Sequence, residues 1–187
     1  MNESVGSCTS SGLAPECTIP RPPRRSLRLL EPGNADAFVD LYVKAPAQDR
    51  LSRFCGGVSE NFVRTYAERA MSSAIEVLGL FEEGLLRAAV EIYLDKQEAE
   101  LAFLVAPDAQ CKGMGTMLMA AGLSVAHERG ACSALVMCSP NNAAMQRVAR
   151  VNGLKRIAAD MEWCAEVQID QECDPHFPSI YQLQHLH

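Results

Sequence analysis

A loop with glycines at alternate positions is the part of this chain best suited to chemistry. The apolar run 101–105 before it predicts a buried strand, and residues 117–129 after it predict a helix. The loop itself carries Gln110, Gly113 and Gly115. A strand, a glycine-containing loop and a helix in this order present backbone N–H groups to a phosphate. Glycine permits the dihedral angles and the close ligand approach that such a loop needs.

Two common phosphate-binding loops do not fit this stretch. A Walker-type loop carries its Lys after the second glycine, whereas Lys112 precedes Gly113. A dinucleotide-binding fingerprint needs a third glycine where this chain has Leu118. The pattern that fits is Gln-x-x-Gly-x-Gly, from Gln110 to Gly115. The alternative is a plain turn that starts a helix.

A second motif follows further along the chain. Residues 133–138 predict a short buried strand, which a polar segment interrupts. Asn142-x-x-Met145 then opens a helix predicted over 142–151, and Gly153 suits its C-terminal end. The two motifs, in this order and at this spacing, resemble the two signatures of the GNAT superfamily of N-acetyltransferases.

The resemblance implies acetyl-CoA as cosubstrate, with its pyrophosphate on the loop amides at the helix start, and it implies no metal. It also implies that β-type pairing joins the pantetheine arm to the backbone of Leu104 or Val105, where that strand splays from strand 133–138. Backbone amides in this cleft would polarise the thioester carbonyl. The residues expected to bind the cofactor are Leu104, Val105, Gln110, Cys111, Lys112, Gly113, Met114, Gly115, Thr116, Asn142 and Met145.

Three of these residues have a second interpretation. Lys112 either contacts a phosphate or is solvated. Asn142 contacts the pantetheine region, caps its helix, or does both. Cys111 stands where this loop usually has glycine, which tests whether the position needs a positive φ. Its thiol lies close to a helix start, where it is either activated as a nucleophile or has no chemical role.

Glu91, Glu98 and Glu100 are the candidates for the base that deprotonates an amine. Strand alternation places Glu98 and Glu100 on one face. Glu98 lies near a predicted turn and is expected to be exposed, whereas Glu100 lies inside an apolar run. A carboxylate there is costly unless it has a role or a partner, and desolvation suits a general base. Glu100 is therefore the predicted catalytic residue, and a glutamate on a solvated strand face is the alternative.

A narrower resemblance, covering residues 26–166, is to the GNAT domain of bacterial Pat-type protein lysine acetyltransferases. It rests on the segments 99–105, 110–115 and 142–150 and on the pattern Arg50-x-x-Arg53-Phe54. In that family the Glu matching Glu100 is the proposed general base. Many GNAT enzymes use a Tyr on the second-motif helix as general acid. Helix 142–152 has none, so thiolate protonation is left to water or to Tyr93, which is otherwise a sheet-packing aromatic.

The remaining pattern predicts a mixed α/β fold, in which a mostly antiparallel sheet is flanked by helices and two of its strands splay at the cofactor site. The expected strands span 26–30, 75–81, 85–94, 98–105 and 133–138, with two more near 155–159 and 161–169. Helices are expected from Asn34 or Asp36 to Val43, from a Ser59 cap to about residue 72, and in the two motifs; residues 45–57 are expected to form a loop. A disordered arm (1–25), one domain (26–169) and a tail (170–187) complete the predicted organisation.

Composition narrows the functional class. The chain has 187 residues, which suits one domain, and a net charge of −6, which does not favour nonspecific nucleic-acid binding. Its eight cysteines form no Cys-x-x-Cys pair and indicate a reduced, cytoplasmic protein. No apolar stretch is long enough to span a bilayer, so no membrane partner is expected.

The expected partners are an acyl-CoA and an amine acceptor, either a protein lysine or a small amine, and the expected assembly is a monomer or homodimer. The alternative function is a catalytically silent acyl-CoA-binding regulator.

Overall fold

The computed structural model describes residues 23–54, 56–72, 76–159 and 162–169. Within them one sheet contains β1 (Arg25–Leu29), β2 (Glu76–Glu82), β3 (Leu85–Asp95), β4 (Glu98–Val105), β5 (Ser133–Cys138), β6 (Lys155–Ile157) and β7 (Trp163–Gln168). The helices are α1 (Ala35–Val43), α2 (Ala47–Phe54), α3 (Glu60–Ser72), α4 (Met114–Glu128) and α5 (Ala143–Val151). Short 3-10 turns precede α1 and α4. The predicted tail, and the predicted arm up to residue 22, lie outside the described residues.

The sheet is mixed and mostly antiparallel, as the sequence predicts. Its strand order is β1-β2-β3-β4-β5-β7-β6, and β4–β5 is the parallel pair among these neighbours. The turn between β2 and β3 has positive φ at Glu83 and Gly84, 51° and 80°, the conformation that matches the twist of a tight hairpin. This hairpin brings β3 against β4 in long antiparallel register, which places Tyr93 opposite Glu100.

Strand alternation buries both faces of the first half of the sheet. One face packs against α4, in a core that includes Leu80, Val90 and Leu101. The other packs against α1 and α3, in a core that includes Phe38 and Leu104. Because successive strand residues point to opposite faces, Glu91 and Glu100 share the α1–α3 face with Leu104.

The expectation of a loop over residues 45–57 is wrong, because α2 occupies Ala47–Phe54. Three helices therefore separate β1 from β2, where the sequence indicated two. None of the described α2 side chains is fully buried, so the helix lacks the apolar stripe by which a sequence pattern is recognised. Polar contacts hold it instead: Nη1 of Arg50 donates to the carbonyl oxygens of Val43 (3.1 Å) and Ala45 (3.0 Å) at the end of α1.

The parallel pair splays, as expected. Pairing between β4 and β5 covers Glu98–Glu100 and Ser133–Leu135. Beyond Glu100, β4 continues to Val105 on β3 alone, while β5 continues on β7. A gap therefore opens between the two strands directly after Glu100. Among the described helices, none combines the length and apolar character that crossing a membrane requires.

Candidate active site

The glycine-containing loop presents a helix N-terminus to the surface. Gly113 caps α4 with φ 79° and ψ 0°, and the first helical bond runs from the Met117 N–H to the Gly113 carbonyl at 3.1 Å. The amides ahead of that bond have no partner within the helix. A Cβ built on Gly113 would have no heavy atom within 4 Å, so the approach to these amides is open. The loop thus offers N–H groups and the positive end of the helix dipole to an anion.

Contacts from three directions fix the loop. Nη1 of Arg25 donates to the Lys112 carbonyl at 3.2 Å. Nε2 of Gln110 donates to Oδ2 of Asp49 at 2.9 Å and to the Val105 carbonyl at 3.3 Å. Gln110, which the sequence assigned to the cofactor, therefore also ties the loop to α2 and to the end of β4.

Other residues of the loop contribute through the backbone. Cys111 adopts φ 59°, so the position does use the left-handed conformation for which glycine is usual. Gly115 has no positive φ, so the freedom of dihedral angle that glycine allows is used at Gly113 and not at Gly115. A Cβ at Gly115 would instead stand 3.4 Å from Cγ2 of Val148 on α5. The Met114 side chain is buried in the core, which leaves its amide to face a ligand.

The second motif lies across the gap from β4. Oδ1 of Asn142 accepts a hydrogen bond from the Met145 N–H at 3.0 Å, which confirms the helix-capping interpretation. Met145 is half-buried and packs against the core on the α4 side. The predicted contacts of both residues with a cofactor remain predictions.

Glu100 lies where the gap begins. It is half-buried, it is the last β4 residue paired with β5, and its cross-strand neighbour on β3 is Tyr93. On β7, burial raises the pKa of the Cys164 thiol, and the charges of Glu162 and Glu100 raise it further. Glu100 therefore lies between Tyr93 of β3 and Leu135 of β5. Glu98 is exposed beside the β3–β4 turn, as expected.

Glu91 is the centre of a buried polar cluster that sequence reasoning missed. Its carboxylate is 1% exposed. It accepts hydrogen bonds from the hydroxyls of Tyr42 and Tyr66, and from that of Tyr93 at 2.5 Å. Nη2 of Arg53 lies 3.2 Å from Oε1 of Glu91 and donates to the Tyr66 hydroxyl at 2.6 Å. We call these five residues the Glu91 cluster.

The sequence contains one signal for this cluster, a glutamate inside the apolar run 88–92. Tyr93 lies two residues away on the same face of β3, but the other partners come from α1, α2 and α3, where no local pattern identifies them. Because the carboxylate is surrounded by donors, Glu91 is poorly placed to act as the base. Among the described residues no side-chain donor competes for the oxygens of Glu100, which keeps that candidacy on geometric grounds.

Burial and the Glu91 charge disfavour ionisation of the three phenols. Burial, followed by the Glu91 charge, raises the pKa of Tyr93 to about 12. The same two causes raise the pKa of Tyr42 and of Tyr66 well above the ordinary range. Burial opposes the charge on Arg53, but the Glu91 carboxylate outweighs it and raises the guanidinium pKa. All three phenols therefore stay protonated at neutral pH.

Comparisons with known proteins agree on one family. Residues 40–154 match the model of the acetyltransferase (GNAT) family. No curated protein matches the chain significantly.

Solved structures with the same fold include the GNAT domain of S. lividans PAT, at 22% identity, with a TM-score of 0.67 over 76% of this chain and 89% of that one. The Salmonella typhimurium protein yncA, solved with acetyl-CoA, has 17% identity and a TM-score of 0.64 over 81% of this chain and 97% of that one. The PaiA N-acetyltransferase from Thermoplasma acidophilum, solved with coenzyme A, has 16% identity and a TM-score of 0.62 over 78% and 99%.

Substituting Gly113 with Ala should lower the free energy of unfolding by about 1 kcal/mol, because a Cβ strains the left-handed conformation although it meets no atom. Gly115→Ala is the matched control. It lies in ordinary helix, where the propensity of Ala offsets the close contact with Val148, so its change should stay within about 0.5 kcal/mol. Urea denaturation measures both values. Equal losses in the two variants would contradict the backbone argument.

The Glu91 charge should be visible in the ionisation of Tyr93, in a Tyr181→Phe background that leaves only the cluster tyrosines. Glu91→Gln removes a charge that raises the pKa of Tyr93, so tyrosinate absorbance should appear about one pH unit lower than in the parent. A raised folded-state pKa favours the folded state below about pH 10, and this stabilisation is lost as pH rises towards about 12. Adding Tyr93→Phe should remove the shifted absorbance. Coincident titration curves would show that Glu91 does not act on Tyr93.

Proposed function

The chain belongs to the acetyltransferase (GNAT) family, and from this premise we propose that it transfers the acetyl group of acetyl-CoA to a primary amine by direct attack. Its fold and domain are those of an acetyl-CoA-dependent acyltransferase. The proposed base is Glu100. The observation that carries this assignment is the position of Glu100 at the point where β4 and β5 separate.

The alternatives to Glu100 are weaker on geometric grounds. Glu98 is exposed and precedes the gap. Glu91 is fully buried, and its oxygens already accept three phenol hydrogen bonds and face Arg53. Glu100 is half-buried on the same sheet face, and no hydrogen bond to its carboxylate is recorded among the described residues. A carboxylate that takes a proton needs a free lone pair and access to the amine, and Glu100 combines both.

The cofactor is proposed to bind along the gap. The open amides at the start of α4, from Lys112 to Thr116, suit the pyrophosphate. The backbone of Leu104 or Val105, which has no β5 partner, suits the pantetheine arm as an added strand. Asn142 and Met145 would face the same arm from α5. Amides of β4 on the gap side would stabilise the oxyanion that forms during attack.

In the proposed reaction Glu100 takes one proton from the amine, directly or through a water. The amine nitrogen then forms a bond to the acetyl carbon, the carbon–sulfur bond breaks to release the coenzyme A thiolate, and the nitrogen gives its second proton to water. Tyr93 does not suit the role of acid for that thiolate, because its hydroxyl donates to Glu91 and its pKa is raised to about 12. Water is therefore the proposed source of the final proton.

The acceptor is proposed to be a protein lysine, with a small amine as the alternative. The likeness to the S. lividans PAT domain, at 22% identity, supports the Pat-type comparison through the shared fold. The pattern Arg50-x-x-Arg53-Phe54 adds to it, because Arg50 and Arg53 place α2 beside the site. We propose the same reduced, cytoplasmic setting that the cysteine usage indicates.

Glu100→Gln should lower kcat about 100-fold or more, since removing a general base costs this much, while the affinity for acetyl-CoA stays within about threefold. The assay follows free-thiol release from acetyl-CoA with a panel of amines and a lysine-bearing protein extract. Glu98→Gln is the matched control, because it makes the same change on the same strand face at an exposed position. Its kcat should remain close to that of the wild type.

Two outcomes would contradict the proposal. Wild-type protein that binds acetyl-CoA yet releases no thiol with any acceptor would favour the silent acyl-CoA-binding regulator. Equal activity of the Glu100→Gln and wild-type proteins would remove Glu100 from the role of base.

A further inference from the structure

The hydrogen bonds of the Glu91 cluster leave its phenols with spare acceptor capacity. An ionised carboxylate accepts hydrogen bonds and donates none, and each phenol has one proton. Tyr42 donates to Oε1 of Glu91, and Oε2 lies within hydrogen-bond distance of both Tyr66 and Tyr93. The Tyr66 and Tyr93 hydroxyls are also within hydrogen-bond distance of each other. The protons of these phenols are therefore directed into the cluster. Lone pairs remain available on the oxygens of Tyr42 and Tyr93, whereas the Tyr66 oxygen already accepts a hydrogen bond from Arg53.

Two of the three phenols reach the open side of the cluster. Tyr66 and Tyr93 are half-buried, whereas Tyr42 is 1% exposed beneath them. The ring of Phe62, which is 48% exposed, stacks on Tyr66 with the centroids 6.3 Å apart and the planes inclined by 19°. The surface at Tyr66 and Tyr93 is consequently within reach of a ligand, and that at Tyr42 is not.

Tyr93 also lies beside the proposed base. Tyr93 and Glu100 are directly opposed on antiparallel strands, which places their side chains on one face as immediate neighbours. An amine that gives its proton to Glu100 must keep its remaining N–H groups hydrogen-bonded to acceptors. Tyr93, the cross-strand neighbour of Glu100, supplies such an acceptor on this face.

We propose that Glu91 is a positioning residue for the amine site: by receiving the hydroxyl proton of Tyr93, it makes the Tyr93 oxygen an acceptor that holds the incoming amine beside Glu100. This inference rests on the proposed transfer to an amine. Arg53 completes the arrangement by pairing with Glu91 and donating to Tyr66, which fixes the direction of the Tyr66 hydroxyl.

Tyr93→Phe against Tyr42→Phe is the decisive comparison, because each removes one phenol bond to the same carboxylate. Loss of a hydrogen bond to a charged amine should raise the acceptor KM of Tyr93→Phe tenfold or more, with kcat within about threefold and acetyl-CoA affinity unchanged. Tyr42→Phe should lower the urea midpoint at least as much and leave the acceptor KM unchanged. Equal KM values in Tyr93→Phe and the wild type, or equal increases in both variants, would overturn the proposal.

Glu91→Gln tests the direction of the phenol hydroxyl protons, because it keeps the shape of the side chain and removes its charge. The amide of Gln offers an acceptor oxygen and an NH2 group that only donates, so a phenol that faces the NH2 group must turn its own proton outward, towards the amine. The acceptor KM should then rise by more than in Tyr93→Phe. Adding Tyr93→Phe to Glu91→Gln should return part of that loss, because it removes a misdirected donor. A Glu91→Gln KM equal to that of the wild type would contradict the proposed role.

Binding without turnover separates this inference from the proposed reaction. With coenzyme A in place of acetyl-CoA no transfer occurs, and n-butylamine serves as the probe, its Kd taken from an NMR chemical-shift titration. We expect Tyr93→Phe to weaken binding tenfold or more and Tyr42→Phe to leave it unchanged. Wild-type protein that binds the amine in this way but shows no thiol release would sustain the inference while refuting the reaction. Absence of wild-type binding, or equal Kd values in all three proteins, would refute the inference.

Discussion

The burial of the Glu91 carboxylate is the constraint on which the acceptor side of this structure depends. A charge withdrawn from water costs several kcal/mol unless donors and an opposite charge replace the solvent. Here the replacements come from four elements: Tyr42 on α1, Arg53 on α2, Tyr66 on α3 and Tyr93 on β3 itself. The hydrogen bonds and the ion pair that the Glu91 carboxylate needs therefore fix the positions of α1, α2 and α3 over the sheet. Removing a single partner would leave a buried group unpaired, which is why the cluster holds together as a unit.

Helix α2 connects this cluster to the cofactor loop. Arg53 near its C-terminus reaches Glu91, and Asp49 in its first turn accepts from Gln110 in the loop, at 2.9 Å. None of the described α2 residues is fully buried, so these polar contacts, those of Arg50 and the packing of Phe54 against the core together determine where the helix lies. The two halves of the proposed site thus share one helix that charged and polar side chains hold in place.

What the sequence could predict follows from which interactions are local. The strands 98–105 and 133–138 and the cap at Asn142 were predictable because alternation, apolar runs and capping residues act over a few positions. The helix over Ala47–Phe54 was not, because its position depends on contacts with Val43, Glu91 and Gln110 rather than on an apolar stripe. The close approach of Gly115 to Val148 was not predictable for the same reason, since Val148 lies on another helix.

The two glutamates that share one sheet face make the same point about function. Glu91 and Glu100 both interrupt apolar strands, and either fits a buried base by sequence alone. Three phenols and a guanidinium surround the carboxylate of Glu91, so its lone pairs are committed and its charge is compensated. Glu100 lies one strand further, where β4 loses its β5 partner and the sheet can admit a ligand. Glu91 is proposed to position its neighbours and Glu100 is proposed to react. The difference between them lies in the surrounding hydrogen-bond donors and in the strand pairing, which only the folded structure provides.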